Sequence, residues 1–469
     1  MARNYNRRMN DDTPPALHAP GRDSQTRPDP AGGPAQQAAF VAWLRTVAPY
    51  IHAFRGRTFV IGIAGELIAE GRLTALVHDI SLLNAMGMRI VLVHGSRPQV
   101  VEQLRLRGLE GRYSGQLRIT DETALECVKE ASGELRLDIE AAFSQGLPNT
   151  PMAHSTVRVV SGNFITARPV GVVDGVDHEH TGIVRKVDAA TIRFALSSGA
   201  VVLLSPLGFS PTGELFNLSM EDVATRTAIA LDADKLIFLT ETDGIPDGKG
   251  GILGELSEDE ARRLLASGTL DPANEYYLRH AVQACEGGVA RAHIVPFRID
   301  GSLLLELFQH NGVGSMLVEE TLEALRDATI DDVGGILAVI RPLEEEGILA
   351  PRDHAQIERD VEKFIVIEHD GVIFGCAALY AYEGQDIAEM ACLAVSGQAQ
   401  GQGDGERLLR RIEQRARGMG IRRLFVLTTR TMHWFLKRGF VEASIDDLPP
   451  NRRDMYNWQR RSKVLIKNL

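Results

Sequence analysis

Short apolar runs separated by amphipathic stretches dominate the chain from Thr58 to about residue 318. Thr58-Phe59-Val60-Ile61, Arg89-Ile90-Val91-Leu92-Val93, Ala200-Val201-Val202-Leu203-Leu204 and Lys235-Leu236-Ile237-Phe238-Leu239 are apolar enough to be strands buried on both faces. Between them, Leu73 to Met86 and Asp121 to Phe143 read as amphipathic helices. Strands alternating with helices predict an α/β fold with a mostly parallel sheet. Ahead of this region, Gln37 to Phe54 repeats Phe40, Val41, Trp43, Leu44, Val47 and Ile51 at helical spacing. An apolar side that rich does not face water alone. It packs either on its own domain or on the same helix of another copy.

A different pattern begins near Asp327. The spacing predicts a helix over 331–347, capped by Asp331 or Asp332, then strands at Phe364-Ile365-Val366-Ile367 and Val372-Ile373-Phe374-Gly375-Cys376-Ala377. Asp370-Gly371 between those strands signals a hairpin. A glycine-rich loop near residue 400, a strand at Leu424-Phe425-Val426-Leu427, a helix around Trp434 and a strand at Val464-Leu465-Ile466 complete an α+β unit. We therefore expect an extension over 1–36, an α/β domain over 37–318 and an α+β domain over 326–469, with 318–327 as a short linker.

Composition narrows the function classes. At 469 residues two or three domains are expected. Residues 1–36 are rich in Pro, Gly, Arg and Asp, hold no apolar segment to serve as a secretory signal, and are expected to be disordered. A net charge of −11 without a sustained basic stripe argues against nucleic acid as a partner. No apolar run approaches the roughly 20 residues that a membrane span needs. Cys127, Cys285, Cys376 and Cys392 form no C-x-x-C pair, so neither disulfides nor a zinc site is expected, and a reducing cytoplasm fits. His94, His178 and His180 lack ligand spacing, so no metal is expected.

Candidate chemistry concentrates where Glu389 interrupts the apolar strand Met390-Ala391-Cys392-Leu393-Ala394-Val395. Gln400-Gly401-Gln402-Gly403-Asp404-Gly405 follows, and then a helix from Glu406. A strand, a glycine-rich turn and a helix N-terminus direct several backbone N–H groups one way, which suits a pyrophosphate. The order Q-x-x-G-x-G resembles the acetyl-CoA signature of GNAT-type N-acetyltransferases. That resemblance implies acetyl-CoA bound by Cys392, Leu393, Ala394, Val395 and the Gln400–Gly405 loop, with a backbone N–H of Cys392–Val395 facing the oxyanion. It makes Glu389 the base, acting through water, and Thr428 a hydroxyl acid or a hydrogen bond to the sulfur. Cys392 itself reads as a small buried residue rather than a nucleophile.

The earlier half resembles the amino acid kinase family, in its acetylglutamate kinase branch. The landmarks are Gly65, Val93-His94-Gly95, Ser161-Gly162-Asn163-Phe164, Asn217-Leu218-Ser219 and Thr240-Glu241-Thr242-Asp243-Gly244-Ile245. This implies a three-layer sandwich. Gly62 and Tyr277 stand where the family carries lysines, Ser96-Arg97 replaces further glycine, and Glu221 replaces an organising aspartate. Without cations to offset charge on a γ-phosphate, phosphoryl transfer is expected to be lost.

Together the halves resemble the two-domain bacterial N-acetylglutamate synthases of arginine biosynthesis. Phrases in both halves carry the likeness, including Gly95-Ser96-Arg97-Pro98-Gln99 and Val426-Leu427-Thr428-Thr429-Arg430-Thr431. The resemblance implies L-glutamate as acceptor, its carboxylates held by Arg352 and by Arg460 (or Arg461) with Ser462. It also implies L-arginine as an effector at Tyr50, Glu306, Gly312 and Gly314, and a homo-oligomer built through the first helix. Alternatives are a bifunctional synthase–kinase and a non-catalytic arginine sensor. Gly62 and Tyr277 disfavour the first, and Glu389 with its loop disfavours the second.

Overall fold

The computed structural model describes residues 34–146, 150, 152–155, 157–309, 312–318, 324–369, 371–382, 384–397, 400 and 403–469. Residues 1–33, Asp370 of the hairpin turn, and Gly401 and Gln402 of the glycine loop lie outside them.

A helix spans Pro34–Phe54. In its turns before Val47, Phe40, Val41, Trp43 and Leu44 are exposed.

From Val47 on, the first layer structure forms around an eight-stranded sheet. Its order is Glu255–Ser257, Ser315–Val318, Arg291–Pro296, Lys235–Thr240, Thr58–Ile63, Arg89–His94, Val201–Leu204 and Val159–Ser161. Neighbours run parallel, except that Ser315–Val318 opposes Arg291–Pro296. The continuous apolar runs arise because helices cover both faces, and the two-residue strand period splits each run between two cores. Val60, Val91 and Val202 pack with Val223 and Ala228 of helix Met220–Leu231 and Leu278 of helix Pro272–Glu286. Phe59, Ile61 and Leu92 pack oppositely with Val77 and Ile80 of helix Leu73–Ala85 and with Phe54. This is the expected three-layer α/β arrangement. A four-stranded sheet of Leu215–Asn217, Leu207–Phe209, Ile165–Pro169 and Gly182–Val187 adjoins it.

The second sheet has seven strands, in the order Ala324–Asp327, Phe364–His369, Val372–Ala381, Ile387–Val395, Arg423–Thr428, Lys463–Asn468 and Val441–Ala443. All neighbours are antiparallel apart from Ile387–Val395 and Arg423–Thr428. Helix Asp404–Gly418 covers one face through Leu408, Leu409, Ile412 and Ala416. Helix Val333–Glu345 covers the other through Val333, Ile336, Leu337 and Ile340.

Two expectations need correction here. Residues 324–327, read as linker, pair with Ile365 to Glu368 as an edge strand. The second concerns the cap: Asp332 stands at the N-cap of helix Val333–Glu345, one of the two positions expected, but its side chain makes no capping hydrogen bond to that helix. Thr329 and Asp332 form a capping box around a short 3₁₀ turn, Ile330–Asp332, that precedes the α-helix. Asp332 is then clamped by Arg326, whose Nη1 and Nη2 donate to its two oxygens at 2.7 and 2.8 Å. Arg326 Nε also donates to Glu368 at 2.8 Å, so one side chain ties the edge strand, the next strand and the helix start together.

The Arg326 hydrogen bonds hold the Asp332 carboxyl at about 2, below its ordinary value. A depressed folded-state pKa contributes stability above the ordinary carboxylate range, and that stability is lost as pH falls through the folded value. Asp332→Asn should therefore lower unfolding free energy at pH 7 by about 1–3 kcal/mol. The difference from wild type should shrink as pH falls from about 4 through about 2, and vanish below that, where the Asp332 carboxyl is protonated in folded and unfolded chains alike. Urea unfolding followed by tryptophan fluorescence at matched pH values checks this.

Candidate active site and a second cavity

The parallel ladder between Ile387–Val395 and Arg423–Thr428 is short. It runs through Ile387↔Arg423, Ala388↔Leu424 and Glu389↔Phe425 and ends there. Beyond Glu389 the strands part. The cause lies on the opposite edge, where pairing with Val372–Ala381 shifts register between Cys376 and Ala378. Cys392, at φ 53°, supplies the extra residue of this β-bulge. A bulge bends its strand and re-aims its backbone groups. Past Glu389 the backbone of Met390–Val395 therefore has no ladder partner on the side of Arg423–Thr428.

The glycine loop follows directly. Gln400 Nε2 donates to the Val395 carbonyl at 3.2 Å, and Gly403 turns into helix Asp404–Gly418 at φ 95°. A Cβ on Gly405 would lie 3.2 Å from the Trp434 ring. The Arg438 guanidinium stacks 3.9 Å from that ring, and donates to the Trp434 carbonyl and to Glu406. Arg438 thus braces the start of helix Asp404–Gly418.

Glu389 is 8% exposed. Arg452 donates to it from Nε at 2.7 Å and from Nη2 at 3.2 Å, and Tyr382 Oη donates at 3.1 Å. Sequence reasoning missed both partners. Tyr382 continues the alternation of its strand beyond Tyr380, which is a weak signal. Arg452 lies among other arginines with nothing to mark it. The Thr428 hydroxyl hydrogen-bonds that of Thr431 at 2.8 Å and accepts from the Thr431 N–H.

Arg352 donates to Tyr380 Oη at 2.7 Å, while its own backbone N–H is fixed by Glu344. Arg460 donates to the carbonyls of Gly347 and Ile348. Arg352 and Arg460 thus both contact the segment from Glu344 to Arg352. The Ser462 carbonyl accepts from Tyr456 Oη at 2.7 Å. Burial pushes the Cys392 thiol up to about 11, an effect that nearby Arg352 opposes.

In the first sheet a cavity of about 110 Å³ opens beyond the C-terminal ends of the central strands. Gly65, Gly95, Ser96, Arg97, Arg118, Asn217, Ser219, Glu66, Glu221, Glu241 and Tyr277 are among its lining residues. Burial raises Glu221 to about 7 and Glu66 above its ordinary value. At Gly62 a Cβ would meet Met220 Sδ at 2.5 Å and Phe238 at 3.0 Å. Tyr277 is buried, with its ring 5.6 Å from that of Phe238. Gly62 and Tyr277 are therefore packed with apolar groups, and the cavity beside them is lined by carboxylates (Glu66, Glu221, Glu241) together with the guanidinium groups of Arg97 and Arg118.

The residues read as an arginine site also converge. Tyr50 lies in an aromatic cluster with Phe54 and Phe308. Glu306 is buried. It hydrogen-bonds His293 Nδ1 at 2.7 Å and accepts from the N–H groups of Val313 and Gly314 at 2.8 and 3.0 Å. A side chain on Gly312 would collide with its carboxylate. Among the described residues no helix is long and apolar enough to cross a membrane, and no group of three or more His, Cys, Asp and Glu could hold a metal ion.

These two sheets and the parted strands define the class: a kinase-like α/β domain followed by a GNAT acyltransferase. Residues 57–296 match the amino acid kinase family, and residues 336–440 match the acetyltransferase (GNAT) family. The chain is 63% identical over 434 residues to the amino-acid acetyltransferase of Ralstonia nicotianae, covering 92% of this chain and 96% of that one. It is 50% identical to the Ectopseudomonas mendocina protein of the same name, covering 92% and 99%. Among solved structures, N-acetylglutamate synthase from Neisseria gonorrhoeae complexed with coenzyme A and L-arginine matches at 43% identity, with a TM-score of 0.81 over 92% of this chain and 99% of that one. The same protein with coenzyme A and N-acetyl-glutamate matches at 44% identity with the same coverage and a TM-score of 0.59. The chain belongs to the amino-acid acetyltransferase family, the N-acetylglutamate synthases, and is an enzyme of that kind.

A thiol raised to about 11 stays protonated at neutral pH and is a poor nucleophile. Cys392→Ala should keep kcat within about threefold of wild type, since no acyl-enzyme forms. Steady-state release of CoA thiol measures this, and a loss of more than about 100-fold in a folded variant would return Cys392 to the chemistry.

Proposed function

We propose that this enzyme transfers the acetyl group of acetyl-CoA to the α-amine of L-glutamate. The observation that carries the reading is the end of pairing between two parallel strands, with a carboxylate at the last paired position and the glycine loop after it. At neutral pH the amine is mostly ammonium and cannot attack, so its proton must leave first. Glu389 accepts that proton through a water. The freed amine adds to the thioester carbonyl, and a backbone N–H of the Cys392–Val395 segment faces the oxyanion that develops. Collapse breaks the C–S bond and expels the thiolate, which takes up the proton lost by the amide nitrogen. A thiol of pKa about 8.5 leaves without strong acid help, so Thr428 acts as a hydrogen-bond donor to sulfur. Gln400, Gly401, Gln402, Gly403, Asp404 and Gly405 take the pyrophosphate. Arg352, and Arg460 with Ser462, are assigned to the two carboxylates, for which guanidinium forks are suited.

The kinase-like domain is assigned to regulation by L-arginine and does not turn over ATP. Gly62 and Tyr277, where the resemblance expects lysines, are packed against Met220 and Phe238, so no ammonium reaches the cavity from either position. The neighbour from Neisseria gonorrhoeae has been crystallised with L-arginine, and Tyr50, Glu306, Gly312 and Gly314 cluster in this chain. The exposed apolar side of Pro34–Phe54 is expected to be covered by another copy, and the cytoplasm is the expected compartment.

Glu389→Gln should lower kcat by roughly 10²–10⁴-fold while acetyl-CoA binding persists. Thiol release from acetyl-CoA with glutamate, aspartate and glutamine in turn tests the acceptor, and equal turnover of all three would refute it. Because Tyr50 and Glu306 are buried, the regulatory reading is best tested with near-isosteric changes. Tyr50→Phe and Glu306→Gln should shift the arginine concentration for half-maximal effect by about 5–150-fold, the usual span of allosteric coupling, with kcat in its absence held. Acetylglutamyl phosphate formed from ATP, magnesium and N-acetylglutamate would restore the bifunctional reading.

A further inference from the structure

The Glu389 carboxylate has its partners outside its own strand. Arg452, on the short helix Pro450–Asp454, reaches one oxygen with Nε at 2.7 Å and the other with Nη2 at 3.2 Å. The Tyr382 hydroxyl donates to the oxygen that Nε also holds. A fork on both oxygens fixes the plane of the carboxylate as well as its charge. Each partner is itself anchored. Arg452 Nη1 reaches the Met455 carbonyl at 3.4 Å, and the Tyr382 ring lies 6.0 Å from that of Phe425, the residue paired with Glu389.

We propose that Arg452 is a positioning residue for acetyl transfer. It orients the Glu389 carboxylate and sets a positive charge against both of its oxygens, so that Glu389 relays the amine's proton. This rests on the reading of Glu389 as the base. In the balanced step, the ammonium gives one proton through water to the carboxylate, leaving a neutral amine and a carboxylic acid. That acid, beside a guanidinium, then releases the proton to solvent and the carboxylate is restored. Plain neutralisation of a buried charge needs only a nearby cation. A two-oxygen fork at the end of the strand pairing does more, because it leaves the carboxylate one orientation.

The groups acting on Glu389 from the packed elements are Tyr382, Arg452, Arg352 and Cys392. Burial first, and then Glu389, push the Tyr382 phenol up, so it remains a donor throughout the working range. With Arg452 removed, Arg352 still faces the carboxylate, so the change in proton affinity should be partial.

The test compares Arg452→Met and Arg452→Lys with wild type and Glu389→Gln, by steady-state acetylation of L-glutamate over about pH 5.5–9.5. Arg452→Met should lower kcat roughly 10–100-fold, with KM for acetyl-CoA within about twofold. Its acidic limb of kcat should move to higher pH by about one unit, because the carboxylate loses an adjacent positive charge. Arg452→Lys should keep the limb in place and recover part of kcat, since it restores charge without the fork. An unmoved limb in Arg452→Met, or a rise confined to KM for glutamate, would overturn the proposal. The second result would make Arg452 a substrate ligand. Should Arg452→Met fail to fold by circular dichroism, Arg452→Lys decides: wild-type kcat overturns the orienting role, and lowered kcat with an unmoved limb supports it. An active Glu389→Gln would remove the base reading beneath the proposal, whereas an inactive one with an unmoved limb in Arg452→Met sinks the proposal alone.

Discussion

The active half of this enzyme depends on two parallel strands that stop pairing. A sheet normally gains from every ladder hydrogen bond, and breaking off at Glu389 forgoes several. The bulge at Cys392 forces the break from the other edge of the strand, through a backbone conformation that side chains rarely adopt. That one distortion sets the local layout: the ladder ends at a carboxylate, and the chain runs on to Gln400 and the helix that starts after Gly403.

A strained break of this kind must be braced by its surroundings. The braces come from both sides of the sheet. Cys376 Sγ contacts the Cys392 carbonyl at 3.5 Å from the neighbouring strand. Trp434, stacked by Arg438, closes over Gly405. Arg452 and Tyr382 hold the carboxylate at the end of the ladder, and Arg326 anchors the edge strand to the helix behind. The site is therefore rigid on its floor, as a short-range proton transfer requires.

Most of the framework was legible in the sequence because the buried strands are long and apolar. Thr58–Ile63, Arg89–His94 and Lys235–Thr240 differ from their predicted spans by a residue or two. Glu389 stood out because a charge inside an apolar strand is costly unless it serves or is paired. What the sequence concealed were pairings between distant segments. Arg452 lies 63 positions from Glu389 and looks like any surface arginine until the fold folds it back. The partners of Glu306 were hidden for the same reason. Its helix, Ser302–Phe308, points that carboxylate inward at His293 and at the turn from Gly312 to Gly314, and no local period announces it. The capping box at Thr329 belongs to a 3₁₀ turn, which shifts the helix start by a few residues without altering its apolar face.

Gly62 has a consequence for how the two halves can change. A lysine reintroduced there would meet Met220 and Phe238 before its ammonium reached the cavity, so the substitution alone overfills a core that already contains Val60, Val91 and Val223. Met220 would have to shrink first, and that step by itself leaves a void against Phe238. Neither change is favourable without the other, so their effects on stability are strongly non-additive. Position 62 is in this sense locked: a longer side chain enters the sandwich there only through a coupled pair of substitutions.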